Sequence, residues 1–210
     1  MPPAPARTAP SRERESHKHE HGTGHSRIRK AAEELLIERN GALDILEIAE
    51  RAEVSNSLLY RYYPSKGALL AAIVESFYDR YDSAVFSVPY DETIEYAAAI
   101  KMRLAQIVAF HYSEPLAETV LGRLARTPEA AAVDAERMAK HIDAAAAQVR
   151  HGQRTGALSG NIDAEVAGAV VIGGTHQALV RALRRSPRPS AEWLTEELWR
   201  AFSAALVLQG

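Results

Sequence analysis

Residues 43–70, LDILEIAERAEVSNSLLYRYYPSKGALL, admit few folds, because they hold two short helical patterns separated by a tight turn, then a proline, then a third helical pattern. Asp44 is placed to cap the first helix, and Glu47 stands three residues on to complete a reciprocal capping pair. Ile45, Ile48 and Ala49 then share one apolar face, and the helix should end near Ala52, with Glu53 and Val54 making the turn. Ser55 is a natural N-cap for a second helix of about two turns, since its hydroxyl can accept an N–H group that a helix start leaves unpaired. Pro64 prevents that helix from continuing, and Ser65 starts the next.

In the second helix Leu59 and Tyr63 can pack inward, leaving Asn56, Ser57, Leu58, Tyr60, Arg61 and Tyr62 near the N-terminal half or the outer surface. Small polar groups and an amide can read base edges in a major groove, while tyrosine hydroxyls and a guanidinium reach phosphate oxygens. A solvated helical hairpin with chance aromatics has the same spacing, so spacing alone leaves both readings open.

Ile48-Ala49-Glu50-Arg51-Ala52, Val54-Ser55, Leu59-Tyr60-Arg61-Tyr62-Tyr63 and Pro64-Ser65-Lys66 with Ala68-Leu69-Leu70 resemble the DNA-binding domain of the tetracycline-repressor (TetR) family of bacterial transcription regulators. The resemblance covers about residues 26–75; the remainder is alike only in being helical and of suitable length. It implies an all-α protein with an N-terminal three-helix helix-turn-helix domain and a larger C-terminal helical domain for ligand binding and dimerisation. It also implies that Asn56, Ser57 and Leu58 approach bases and that Tyr60, Arg61, Tyr62 and Lys66 hold the backbone. Arg27, Asp44 and Ser55 complete the expected DNA-binding set. Lys66 has its own warrant in the first turn of a helix, where free N–H groups and the dipole favour a phosphate.

Four positions depart from the family's pattern. Glu53 stands where glycine is usual, and a left-handed backbone there would cost a non-glycine residue about 1–2 kcal/mol. Gly67 replaces an acidic helix former, at about 1 kcal/mol relative to alanine. Asp44 stands in place of a neutral hydroxyl cap and Leu46 where a basic residue is common. Both would weaken phosphate contacts from the first helix of the motif.

Composition agrees with a helical regulator. Of 210 residues 47% are hydrophobic and only 7% aromatic, with alanine dominating the apolar fraction, which favours closely packed helices. There is no cysteine, which removes disulfides, thiol chemistry and Cys-ligated zinc and fits a cytoplasmic protein. No stretch reads as a secretory signal or as the roughly 20 apolar residues of a membrane span, so no membrane partner is expected. A net charge of −2 does not argue against DNA, because residues 1–30 gather Arg7, Arg12, Arg14, Lys18, Arg27, Arg29 and Lys30 against three glutamates.

The expected organisation is a flexible basic arm over residues 1–24, a DNA-binding domain over 25–75 and a helical effector-binding and dimerisation domain over 76–210. The arm is rich in Pro, Arg, Ser and His and poor in apolar groups. Its histidines, His17, His19, His21 and His25, could bind metal, but without a frame to fix them no metal site is expected; a basic arm following phosphates or the minor groove is the better reading. Helix 1 is expected from Arg27 to Arg39, stopped by Asn40-Gly41. A long helix should run from Ser65 to Phe86, followed by helices near 91–112, 115–126, 128–151, 163–185 and 190–208.

The last two helices look like an interface. Val170, Gly173, Gly174 and Gln177, with Leu194, Leu198 and Phe202, are the expected dimer residues; small residues in the first helix permit close approach, and the last is apolar over more than one core-facing stripe. The resemblance implies a four-helix bundle across a two-fold axis. No Gly-rich phosphate loop or Ser-His-Asp set suggests an enzyme, and no cofactor is implied. Tyr96, Met102, Arg103, Phe110, His111, His141, Gln148 and His176 are candidates to line a small-molecule pocket. The sequence therefore reads as a homodimeric repressor released from a palindromic double-stranded DNA operator by a small-molecule effector. An activator or a ligand-independent regulator shares the same reader, and a small all-helical enzyme is the third alternative.

Overall fold

A computed structural model describes residues 12–87, 93–124 and 127–205, with side chains from residue 24 onward. Among the described residues there are nine α-helices, one π-turn and no strand. The chain divides into two compact units, Met1–Lys66 and Gly67–Gly210.

The first unit holds α1 (Arg12–Glu38), α2 (Ile45–Arg51) and α3 (Asn56–Tyr62). Its core is built from Ile28, Ala31, Ala32, Leu35 and Leu36 on α1, Ile48 and Ala49 on α2, and Leu59 and Tyr63 at α3, all buried. α1 starts well before the expected Arg27. The run RERESHKHEH lacks apolar residues but consists largely of helix formers with alternating charge, so it can extend a helix it could not bury. The side chains of His17, His19 and His21, and all of residues 1–11, lie outside the described residues. Asn40 and Gly41 take left-handed φ values of 51° and 91°, and the Gly41 N–H returns to the Leu36 carbonyl at 2.7 Å, which ends α1 as expected.

α2 begins where the Asp44 carboxylate accepts the Leu46 N–H at 2.7 Å. The reciprocal half of the expected capping pair does not form. Glu47 accepts instead from Arg39 at 2.7 Å, a charge-assisted bond that outcompetes a return to a neutral backbone N–H. Ser55 caps α3 by accepting the Leu58 N–H at 3.2 Å.

The second unit continues α4 (Lys66–Tyr81), whose first residue closes the first unit. The expected helix to Phe86 persists, but its last turn widens into a π-turn over Asp82–Phe86. Then follow α5 (Tyr96–Ser113), α6 (Ala117–Gly122), α7 (Pro128–Thr155), α8 (Ala164–Leu183) and α9 (Ala191–Ala205). α5 starts later than expected because Glu95 is the cap, accepting the N–H groups of Ala97 and Ala98 at 3.0 and 3.1 Å. α8 starts where Asp163 caps Glu165 and Val166.

α7 and α8 pack along one another. A Cβ on Gly168 would lie 2.8 Å from the Ile142 carbonyl oxygen and 2.9 Å from the Ala146 nitrogen, so only glycine lets the two backbones come this close. On length and composition alone α8, 20 residues long, is apolar enough to cross a membrane. Ala164, Ala167, Ile172, Leu179, Ala182 and Leu183 on one side of it are buried inside this unit.

Candidate nucleic-acid interface and ligand chamber

The α3 cap fixes which side chains face outward. With Leu59 fully buried and Tyr63 at 4% exposure, Asn56, Ser57, Tyr60 and Arg61 lie on the outer surface, and Leu58 and Tyr62 are half-buried. Tyr60 is half exposed, with nothing of the core to explain an aromatic there. Tyr62 is committed partly inward, its ring edge-on to His25 at 5.9 Å, while His25 stacks on Tyr63 at 4.9 Å. Lys66 donates to the Leu43 carbonyl at 2.7 Å, which ties the start of α4 to the residue before the α2 cap and uses one of its three ammonium protons. Glu53 has a φ of 50°, the left-handed turn for which the sequence pattern expects glycine. Its carboxylate accepts from Arg27 at 2.8 Å. Arg27, an expected phosphate ligand, is thus held in an exposed pair beside the turn.

Inside the second unit lies a chamber of about 380 Å³. α5 supplies Tyr96, Ile100, Arg103, Leu104 and Ile107; α7 supplies Ala144, Gln148 and Val149; α8 supplies Ile172 and Thr175; Trp199 and Phe202 of α9 and Phe86 of the π-turn close it. Of the expected ligand residues, Tyr96, Arg103 and Gln148 line this space. Tyr96 is fixed there by donating its hydroxyl proton to the Gln148 carbonyl at 3.0 Å. Met102 is half exposed and outside the lining. Phe110 packs against Phe77 and Tyr81, with ring centroids 5.6 and 5.3 Å apart.

The three remaining candidates, His111, His141 and His176, meet around a smaller recess of about 30 Å³ with Tyr78, Tyr81 and Thr175. Ile107, Ile172 and Thr175 stand in the walls of both spaces. His111 Nδ1 lies 2.8 Å from the Ile107 carbonyl, which can only accept, so the proton is assigned to Nδ1 and Nε2 keeps its lone pair. His141 Nε2 donates to Asp82 Oδ1 at 2.6 Å, and the ring lies flat on Phe86 at 4.7 Å. Asp82 also accepts from Arg137 at 2.8 Å, and Tyr78 donates to Asp134.

Burial pushes His111 down to about 4. It also lowers His141, outweighing the Asp82 carboxylate that favours the charged ring, and lowers His176. All three rings are therefore neutral at pH 7. His176 Nε2 and Thr175 Oγ1 are buried without a hydrogen-bond partner.

The expected dimer residues fall into two sets. Val170 is 52% exposed, a Cβ added to Gly173 would meet open space and Gln177 is exposed, whereas a Cβ on Gly174 would lie 3.2 Å from the Phe202 ring. Leu194 and Leu198 are buried within the chain, and Phe202 lines the chamber. Sequence reasoning did not single out Thr175 or Trp199 as lining residues, since a chamber lined by apolar helices has the same periodicity as a core.

Residues 28–73 match the profile of the family described as bacterial regulatory proteins, tetR family. No curated protein matches the sequence. In fold the chain is similar to the fatty acid degradation regulator FadR from Bacillus halodurans, at 15% identity and a TM-score of 0.73 over 89% of this chain and 97% of that one. It is similar to the transcriptional regulator FadR from Bacillus subtilis in complex with stearoyl-CoA, at 14% identity and a TM-score of 0.73 over 84% and 96% of the two chains. It is also similar to RolR in complex with resorcinol, at 19% identity and a TM-score of 0.61 over 88% and 89%. Identities this low speak for the fold. They show the all-α fold, and the profile match marks residues 28–73 as a tetR-family helix-turn-helix DNA-binding domain of a transcription regulator.

Proposed function

We propose that the protein is a cytoplasmic homodimeric repressor that leaves a palindromic operator when a small molecule enters the chamber of the second unit. The observation that carries the effector reading is the chamber itself, because a helical unit of this size with no ligand to hold would fill such a space with side chains. Stearoyl-CoA and resorcinol in the two similar structures make a ligand at this fold a natural expectation. The exposed strip of Val166, Val170 and Gly173 on α8 supports pairing with a second copy, which would set two copies of α3 about 34 Å apart for successive major grooves.

An effector can weaken DNA binding only by binding the DNA-competent and incompetent dimers unequally. The two units join within the first turn of α4, and the wall residue Phe86 lies just beyond that helix, so a ligand that displaces the π-turn has a covalent path to Lys66. Coupling of about 1–3 kcal/mol is usual, so saturating effector should lower operator affinity roughly 5- to 150-fold. By reciprocity the operator should lower effector affinity by the same factor. A thermal-shift screen to find a chamber ligand, followed by its titration with and without promoter duplex, tests this. Equal ligand affinity in both titrations would remove the effector reading.

A further inference from the structure

We propose that the effector is a mostly apolar ring compound ending in a neutral hydroxyl, with its ring in the chamber and its hydroxyl in the recess beside Thr175 and His176. This rests on the chamber being the effector site. Aliphatic and aromatic walls such as Ile100, Leu104, Ile172, Trp199 and Phe202 suit an apolar body. The recess shares Ile107, Ile172 and Thr175 with the chamber wall, and its 30 Å³ admits one small polar group.

The polar groups of the recess define what that group must do. Thr175 is 4% exposed, yet its hydroxyl does not make the return bond to a helix carbonyl that a buried threonine commonly makes. The Gln177 amide lies 3.4 Å from His176 Nδ1, which assigns the ring proton to the unpartnered Nε2 and makes it a donor. His111 lines the same recess, and its Nε2 keeps a lone pair as an acceptor. A hydroxyl accepts from one and donates to the other, whereas a ketone can only accept. In the recess itself a carboxylate would meet imidazoles that burial keeps neutral and would be penalised on entry, while the Arg103 guanidinium stands in the chamber wall.

Equilibrium dialysis of the full chain against naphthalene, 2-naphthol and 2-naphthoate tests the proposal. Wild type should bind 2-naphthol about tenfold more tightly than naphthalene, the worth of one satisfied buried hydrogen bond, and more tightly than 2-naphthoate. Thr175→Val keeps the shape and should reduce the ratio of naphthol to naphthalene affinity. His176→Leu reads the same preference should the first variant fail to fold. Equal affinity for naphthol and naphthalene, tightest binding of naphthoate, a preference undiminished in both variants, or no binding of any of the three would overturn the proposed ligand class. Operator binding under saturating 2-naphthol is a separate readout. A hydroxyl preference that depends on Thr175 but leaves operator affinity unchanged would overturn the effector reading while the ligand class stands.

Discussion

Arg27 Nη2 lies 2.8 Å from Glu53 Oε2, tying α1 to the left-handed residue between α2 and α3. The pair is exposed and contributes little to stability, while the backbone at Glu53 costs about 1–2 kcal/mol relative to glycine. Glu53→Gly should therefore raise the free energy of unfolding by about 1 kcal/mol in a urea titration. It should also release Arg27 and remove a carboxylate beside the reader, so DNA affinity should rise and the salt dependence should steepen by about one phosphate contact. Unchanged affinity and slope would place Arg27 away from DNA.

Outward-facing residues of α3 divide into two kinds. Tyr60→Ala should weaken all duplexes about equally, because a phosphate contact carries no sequence information. Asn56→Ala should change which sequence is preferred, by about 1–3 kcal/mol at one or two positions. A binding-site selection in which the Asn56 variant recovers the parental motif would remove its base-reading role.

Low pH should loosen the second unit. His111 sits at about 4 against an ordinary 6.5, so the unfolded chain binds the proton first. The stability tied to this ring is complete above pH 6.5 and is lost as pH falls toward 4, amounting to about 2 kcal/mol by pH 5. His141 and His176 are displaced in the same direction and add to the loss. The opposing carboxylates are Asp82, Asp134 and Glu114. Urea midpoints at pH 7 and pH 5 should differ less in His111→Phe than in wild type. Identical pH slopes would show that His111 is not held neutral by burial.

Substitutions at the expected interface should separate two effects. Val170→Asp changes an exposed side chain and should give a folded monomer at micromolar concentration by sedimentation, with operator binding lost. Leu198→Asp, at 7% exposure within the chain, should instead unfold the second unit, since a buried unpaired carboxylate is strongly penalised. A Val170→Asp protein that remains dimeric would move the interface off this face of α8.

Helix ends were the most legible part of the sequence, because caps are local: Ser55, Asp163, the Asn40-Gly41 stop and Pro128 at the start of α7 act within a few residues of where they stand. Partner choice was less legible. Glu47 turns to Arg39, eight residues back, rather than to its own helix start. The π-turn at Asp82–Phe86 keeps the apolar period of a helix and so leaves no separate trace. His111, His141 and His176 look unrelated along the chain and meet only because α5, α7 and α8 pack together. Met102 stands beside Arg103, but neighbours on a helix point about 100° apart, and of the two only Arg103 reaches the chamber. The broad apolar coverage of α9, read as evidence for a partner subunit, is used in part by the chamber, which Trp199 and Phe202 close.

Selection of duplexes from random double-stranded DNA by the full-length protein tests the central claim most directly. Wild type should enrich a palindrome whose half-site centres lie one helical turn or a whole number of turns apart. The enriched half-site should change in Asn56→Ala, and enrichment should disappear in Val170→Asp. No enrichment by the wild-type protein, or the same motif from all three, would contradict the account.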